Sequence, residues 1–253
     1  MRRDYIYLHK SLRSLHITRG KIAFALCAVT VFTGLIAALG DWLLNTHGEI
    51  CRVLLDLAGI PIQGSQTLAV FPGLGPAVAP VVPVLPYESN QEVLGVFFIV
   101  SVLVLLAIYR RIALARNFVL FLITLLVAAA GVITFNPSFR FDALVFTQIW
   151  LRGEVLVWLL LPWVSAFLFL LIQPSVSWKL AWMALVQVYG FLWSAVRLAF
   201  CLAVLHYTGI LFIPFLWFCL GLLADMLYVF VFYSMVVHQT CGKVWGERTA
   251  WQH

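Results

Sequence analysis

The sequence predicts an all-α polytopic membrane protein of about six transmembrane helices, with both termini in the cytoplasm and a Pro/Gly-rich loop on the outer face. Three observations carry that prediction. The 253 residues are 64% hydrophobic and only 10% charged, whereas a soluble domain carries about a quarter charged residues. Apolar runs of about 20 residues, the length that crosses a bilayer, recur along the chain. The net charge of +6 is gathered beside those runs, which reads as membrane topology and argues against nucleic acid as a partner.

Residues 1–21 form a basic tail whose only acidic residue is Asp4. The run 22–44 is too long for the apolar region of a signal peptide and reads as an uncleaved first span. Residues 45–92 break the pattern. Six of the ten prolines, at 61, 72, 76, 80, 83 and 86, fall between Gly59 and Pro86. That density forbids a continuous helix, and irregular backbone cannot cross lipid with its N–H and C=O groups unpaired. The segment is expected on the outer interface, as short extended pieces packed on the bundle after an amphipathic helix near residues 50–58.

Further spans are expected at 93–109, 117–135, 154–172, 179–206 and 210–237. Arg110, Arg111 and Arg116 close the second, Asn136-Pro137 ends the third and Gln173-Pro174 ends the fourth, the usual helix-breaking signals. Residues 136–153 read as a second outer segment with strand-like alternation, and 238–253 as a cytoplasmic tail. This arrangement puts twelve Lys and Arg inside against three outside, Arg52, Arg140 and Arg152, as the positive-inside rule requires. Of the five cysteines, only Cys51 is expected in an exposed outer loop. None forms a CxxC or a metal-binding spacing, so neither a disulfide framework, a metal nor a cofactor is expected.

The fifth span holds the candidate site. Gln187, Gly190, Ser194, Arg197 and Cys201 recur at helical spacing and share one face. An arginine inside a span is costly and normally faces protein or a water-filled cavity. Arg197 can extend its stem toward Glu154, expected at the outer head of the neighbouring span. Asp225, on a companion stripe with Gly221, Tyr228 and Phe232, is expected about 9 Å deeper, so a direct pair with Arg197 would need tilt or a water. Two readings stand side by side: mutual neutralisation of Arg197, Glu154 and Asp225, or a substrate-facing cation with Ser194 beside it. Cys201 is one turn from Arg197 and His206 is at the outer helix end, a nucleophile and a base at the right end of the span; each residue type also serves as packing or as an inert interfacial group. The small-residue stripe equally fits close helix packing.

The run from Ser194-Ala-Val-Arg197 to His206-Tyr207-Thr-Gly209 resembles exosortases and archaeosortases, membrane transpeptidases that process C-terminal sorting signals. The resemblance covers about residues 136–235. Arg197 matches the family arginine, and Ser194 stands where the family has asparagine. Leu151-Arg152-Gly153 stands where a Cys-Ser-Gly would carry the nucleophile, and only Gly153 matches. The family's later histidine has no counterpart between Ile210 and Met235. The resemblance therefore implies a relative that keeps the fold, and peptide binding at most, without the covalent chemistry.

These observations favour a non-catalytic membrane subunit of a bacterial envelope system, resident in the inner membrane with a membrane-protein partner. Surface-protein sorting, polymer export and secretion-complex assembly are the settings it fits. The alternative is an intramembrane transpeptidase or peptidase acting at the outer face on a peptide or lipid-linked ligand, with Arg197 holding an oxyanion. A small transporter ranks third, because no second half matches the first.

Overall fold

The computed structural model describes residues 19–84, 97, 98, 100–105, 120, 121, 123–128, 131, 142–170, 175–209 and 213–246. The spans expected at 93–109 and 117–135 lie mostly outside these residues, as do residues 1–18, 85–92, 136–141 and 247–253. The described chain is mostly helical. Among the described residues, four helices are long and apolar enough to cross a membrane: Arg19–Ala38, Ala143–Phe169, Val176–Thr208 and Trp217–His238. The chain is a helical membrane protein.

Helix α1 (Arg19–Ala38) is apolar nearly all round and buries only Ala28 and Val29, as expected of a helix facing lipid. The expected first span of 22–44 is interrupted: the backbone departs from helical angles at Leu39. Helix α2 (Gly40–Leu57) follows directly and turns a buried face, Gly40, Leu44, His47, Gly48, Cys51 and Leu55, toward the core. Gly59, at φ +70°, ends it: the Gly59 N–H donates to Asp56 O and the Ile60 N–H to Leu55 O, satisfying the last carbonyls with a left-handed residue that glycine adopts without penalty.

The Pro/Gly-rich segment is a two-stranded antiparallel hairpin, β1 (Gly64–Ala69) and β2 (Pro76–Val81), in the register Gly64 opposite Val81 and Ala69 opposite Pro76. It adds a small β element to a fold expected to be all-α. Two strands alone are marginal in water, and this pair is held from below. Ala77 and Ala79 on β2 are buried, and β2 lies so close to α2 that a Cβ on Gly48 would clash with the Val78 carbonyl oxygen.

Helix α3 (Ala143–Leu170) starts eleven residues before the expected span at 154. Residues 143–153, expected to be strand-like, are helical, and Asp142 caps them by accepting the Val145 N–H on Oδ1 at 2.8 Å. The polar residues that make this stretch resemble a loop are taken up by the hairpin. Gln148 Nε2 donates to Ala69 O at 3.1 Å and Arg152 Nε to Val70 O at 3.2 Å.

Helix α4 (Val176–Thr208) is the longest, at 33 residues. Helix α5 (Ile213–Leu216), a π-helical segment (Trp217–Leu222) and helix α6 (Leu223–Gly246) complete the described chain. At 1.5 Å per residue α4 is about 50 Å long, against a hydrocarbon core of roughly 30 Å. That excess is taken up by tilt or by turns beyond the hydrocarbon, and α2 and the hairpin pack around the last turns of α4. The core follows this division. Ala28, Val29, Ala166, Phe169, Met183 and Val236 cluster toward the α4 N-terminus. A larger cluster toward the hairpin joins Leu44, Cys51, Leu74, Ala77, Phe146, Trp150, Leu198, Cys201 and Leu202.

Candidate functional site: a buried arginine cluster under the hairpin

Arg197 is 1% exposed, and three elements converge on its guanidinium. From α3, Glu154 accepts from Nη2 on both oxygens, at 2.9 and 3.1 Å. From α6, Asp225 Oδ1 accepts from the same nitrogen at 2.5 Å. From the π-helical segment, the carbonyls of Leu220 and Gly221 accept from Nη1, the latter at 2.9 Å. The Trp150 ring lies 5.7 Å from Arg197 Cζ, within cation–π range.

The local backbone explains why those carbonyls are free. A π turn widens the helix and displaces the i→i−4 ladder. At Gly221 ψ is −105°, outside the helical range, so its carbonyl leaves its own helix. A buried carbonyl needs a donor, and Arg197 supplies one. The rigid planar fork of a guanidinium serves four acceptors from three directions, which an ammonium on a flexible stem does less well.

The direct Arg197–Asp225 contact corrects the expected 9 Å difference in depth. With α4 running on to Thr208, Arg197 is eleven residues from its end; with the next helix starting at Ile213, Asp225 is twelve residues in. Both are then at about the same depth, roughly 16–18 Å from the hairpin end. Glu154 is likewise not at a surface. It is 4% exposed, well inside α3.

The rest of the two stripes is packing. Tyr228 fits against Gly190, where a Cβ would lie 2.9 Å from the phenolic oxygen. Phe232 meets Tyr189 edge-on at 5.1 Å between ring centroids. Gln187 Nε2 donates to Trp158 O at 3.0 Å.

Ser194 has a partner that the sequence reading missed. His47, on α2 and fully buried, places Nε2 2.9 Å from Ser194 Oγ, and Ser194 Oγ in turn donates to Phe191 O at 3.1 Å. The imidazole packs on the Trp158 and Phe191 rings. The only advance signal was the helical spacing that puts His47 beside Leu44 and Cys51. Burial pushes the His47 pKa down from 6.5 to about 4, assisted by the Arg197 charge and opposed by the Ser194 hydrogen bond. A base held neutral in the fold stabilises fully above its unfolded pKa and loses that stability as pH falls toward the folded value. Thermal stability should therefore decline between about pH 6.5 and pH 4, by on the order of 3 kcal/mol. Unfolding midpoints measured across that range should show the decline, and His47→Leu should flatten it.

Cys201 is fully buried in the same cluster as Cys51. Cys51 was expected in an exposed loop; it faces the core of α2 because its spacing from Leu44, His47 and Leu55 puts all four on one face. Burial pushes its thiol up to about 12, which keeps it protonated and unreactive. Cys27, Cys51, Cys201 and Cys219 are all free thiols. Among the described residues, no three His, Cys, Asp or Glu side chains are placed to hold a metal ion.

His206 is an anchor for the hairpin. Its Nδ1–H donates to Pro83 O at 2.6 Å, tying the chain leaving β2 to the end of α4. His206→Ala should cost about 1 kcal/mol, the net worth of one hydrogen bond, and should raise protease cutting near residues 82–84 while leaving the α3–α4 pair protected.

No protein-family model, curated protein or solved structure matches this chain. The site is thus read from its own geometry.

Proposed function

We propose that this chain is a non-catalytic integral membrane subunit of a bacterial envelope system, serving surface-protein sorting, polymer export or secretion-complex assembly. We place it in the inner membrane with both termini cytoplasmic, which puts the hairpin on the outer face. One observation carries the reading: Arg197 is 1% exposed and bonded to two carboxylates and two carbonyls. An arginine committed in this way ties α3, α4 and α6 together. It holds the transmembrane frame in one geometry for a membrane-protein partner, with both terminal nitrogens of the guanidinium taken by protein acceptors and the buried Nε without a partner among the described residues. The charged cluster acts as an internal strut, a use of buried ion pairs in which geometry matters more than net stability.

The test is an affinity pull-down of the tagged chain from its native membrane, with Arg197→Ala, Cys201→Ser and His206→Ala alongside the parent. A membrane partner should copurify with the parent and with Cys201→Ser, and its recovery should fall with Arg197→Ala. If Cys201→Ser and His206→Ala stay folded but abolish the processing of a sorting-signal or lipid-linked substrate, the chain is an enzyme and the proposal fails.

A further inference from the structure

Helix α4 begins with a charge of the wrong sign for a helix start. The first N–H groups of a helix carry partial positive charge and favour an acid or a capping side chain. The first turn of α4 holds no acidic residue, and Ser175, at the N-cap position, makes no side-chain capping hydrogen bond. That turn ends instead on a buried cation, Lys179.

Lys179 is 6% exposed, a burial that lysine rarely reaches unless paired. Among the described residues no carboxylate pairs with it: the ion pairs there join Arg52 to Glu49, and Arg197 to Glu154 and Asp225. The Arg197 cluster lies about 27 Å further along α4 at the helical rise. The charge that does reach Lys179 is that of Lys21 on α1, and it repels. A helical side chain leans back over the turn before its own Cα, which carries the Lys179 stem toward the uncapped start of α4.

The groups gathered there are donors. The Lys179 N–H reaches Ser175 O at 3.2 Å, which leaves the N–H groups of Val176, Ser177 and Trp178 before it without a helical acceptor. The hydroxyls of Ser175 and Ser177 lie 3.4 Å apart beside them. Burial, a like charge and a helix N-terminus each make the Lys179 cation costly, and one anion relieves all three. An ammonium, two hydroxyls and three N–H groups suit the tetrahedral oxygens of a phosphate. We propose that the start of α4 is a binding site for a phosphate group, with Lys179 as its charged contact. Helix α4 is long and apolar enough to cross a membrane, and the end of a span meets lipid headgroups and water alike. A phospholipid headgroup and phosphate in solution are therefore the two sources. The site is separate from the Arg197 strut and does not depend on it.

The test follows the unfolding midpoint of the full chain in detergent as probes are added. These are phosphatidylglycerol, phosphatidylcholine, whose choline offsets the phosphate charge, and sodium phosphate against sodium chloride at equal ionic strength. A rise with phosphatidylglycerol and none with phosphatidylcholine assigns the site to a headgroup. A rise with sodium phosphate over sodium chloride assigns it to phosphate in solution. Lys179→Gln should raise the concentration that gives half the effect by about tenfold, the worth of one charge-assisted hydrogen bond. Its midpoint without probe should equal or exceed that of the parent, because a costly buried cation is gone. Arg19→Gln, at an exposed residue two positions before Lys21, should leave the response in place. If Lys179→Gln does not fold, Ser175→Asp replaces it: a carboxylate at the N-cap supplies the anion from the chain itself, so the midpoint should rise and the response disappear. No rise with either phosphatidylglycerol or sodium phosphate overturns the site. So does a rise that Lys179→Gln leaves intact, or one that Arg19→Gln removes as fully.

Discussion

Arg197→Ala is expected to cost about 3–5 kcal/mol and to lower the amount of folded protein in the membrane severalfold. The physical reason is asymmetric. Removing the guanidinium leaves Glu154 and Asp225 buried without their cation, and leaves the Leu220 and Gly221 carbonyls without a donor. Breaking a buried ion pair from one side is far more costly than replacing the whole set by neutral groups of similar shape. The triple variant Arg197→Met, Glu154→Gln, Asp225→Asn should therefore recover much of the loss. Arg197→Lys should fall between parent and alanine, because one ammonium cannot reproduce the fork. Thermal unfolding in detergent, with membrane abundance as a second readout, orders the four proteins. A triple variant no better than Arg197→Ala would mean that the charges themselves, and not their balance, hold the fold.

The second large effect is expected at Gly48. The atom a Cβ would strike is the backbone oxygen of Val78, and no rotamer change can relieve that clash. Gly48→Val must push β2 off α2 and expose Ala77, Ala79 and Val82, all buried in the parent. Overpacking usually costs about 1–3 kcal/mol, and the rigid neighbour puts this case at the top of that range. Limited proteolysis should cut the hairpin between residues 64 and 81 while α3 and α4 stay protected. Gly34→Ala is the matched control: it lies mid-helix, and among the described residues nothing would lie within 4 Å of its Cβ, so the change should be neutral or raise helix stability by up to about 1 kcal/mol.

The ends of elements were the least legible part of the sequence. Residues 143–153 contain Thr147, Gln148 and Arg152, which on local evidence belong outside a span. They continue α3 because the Ala69 and Val70 carbonyls of a hairpin some eighty residues earlier accept from Gln148 and Arg152. That shift alone moves Glu154 from a surface to the interior. Cys51 moved for a related reason. Its helix begins at Gly40, earlier than the proline density implies, and so its buried face runs through the cysteine.

By itself the sequence determined the membrane class, because hydrophobic runs and their flanking charges depend only on local composition. It also determined that the Pro/Gly-rich segment is no continuous helix, since proline and glycine act on their own backbone. Helical spacing put Ser194 with Arg197 on one stripe and Asp225 with Tyr228 on another. Tertiary structure alone decided what those stripes meet. The Arg197 bonds depend on where α4 ends, where the next helix begins and how the π-helical segment turns two carbonyls inward. The His47–Ser194 bond spans 147 positions of sequence. A buried arginine is legible because burying charge carries its cost in any fold; its partners are not, because they are chosen by packing between segments far apart in the chain.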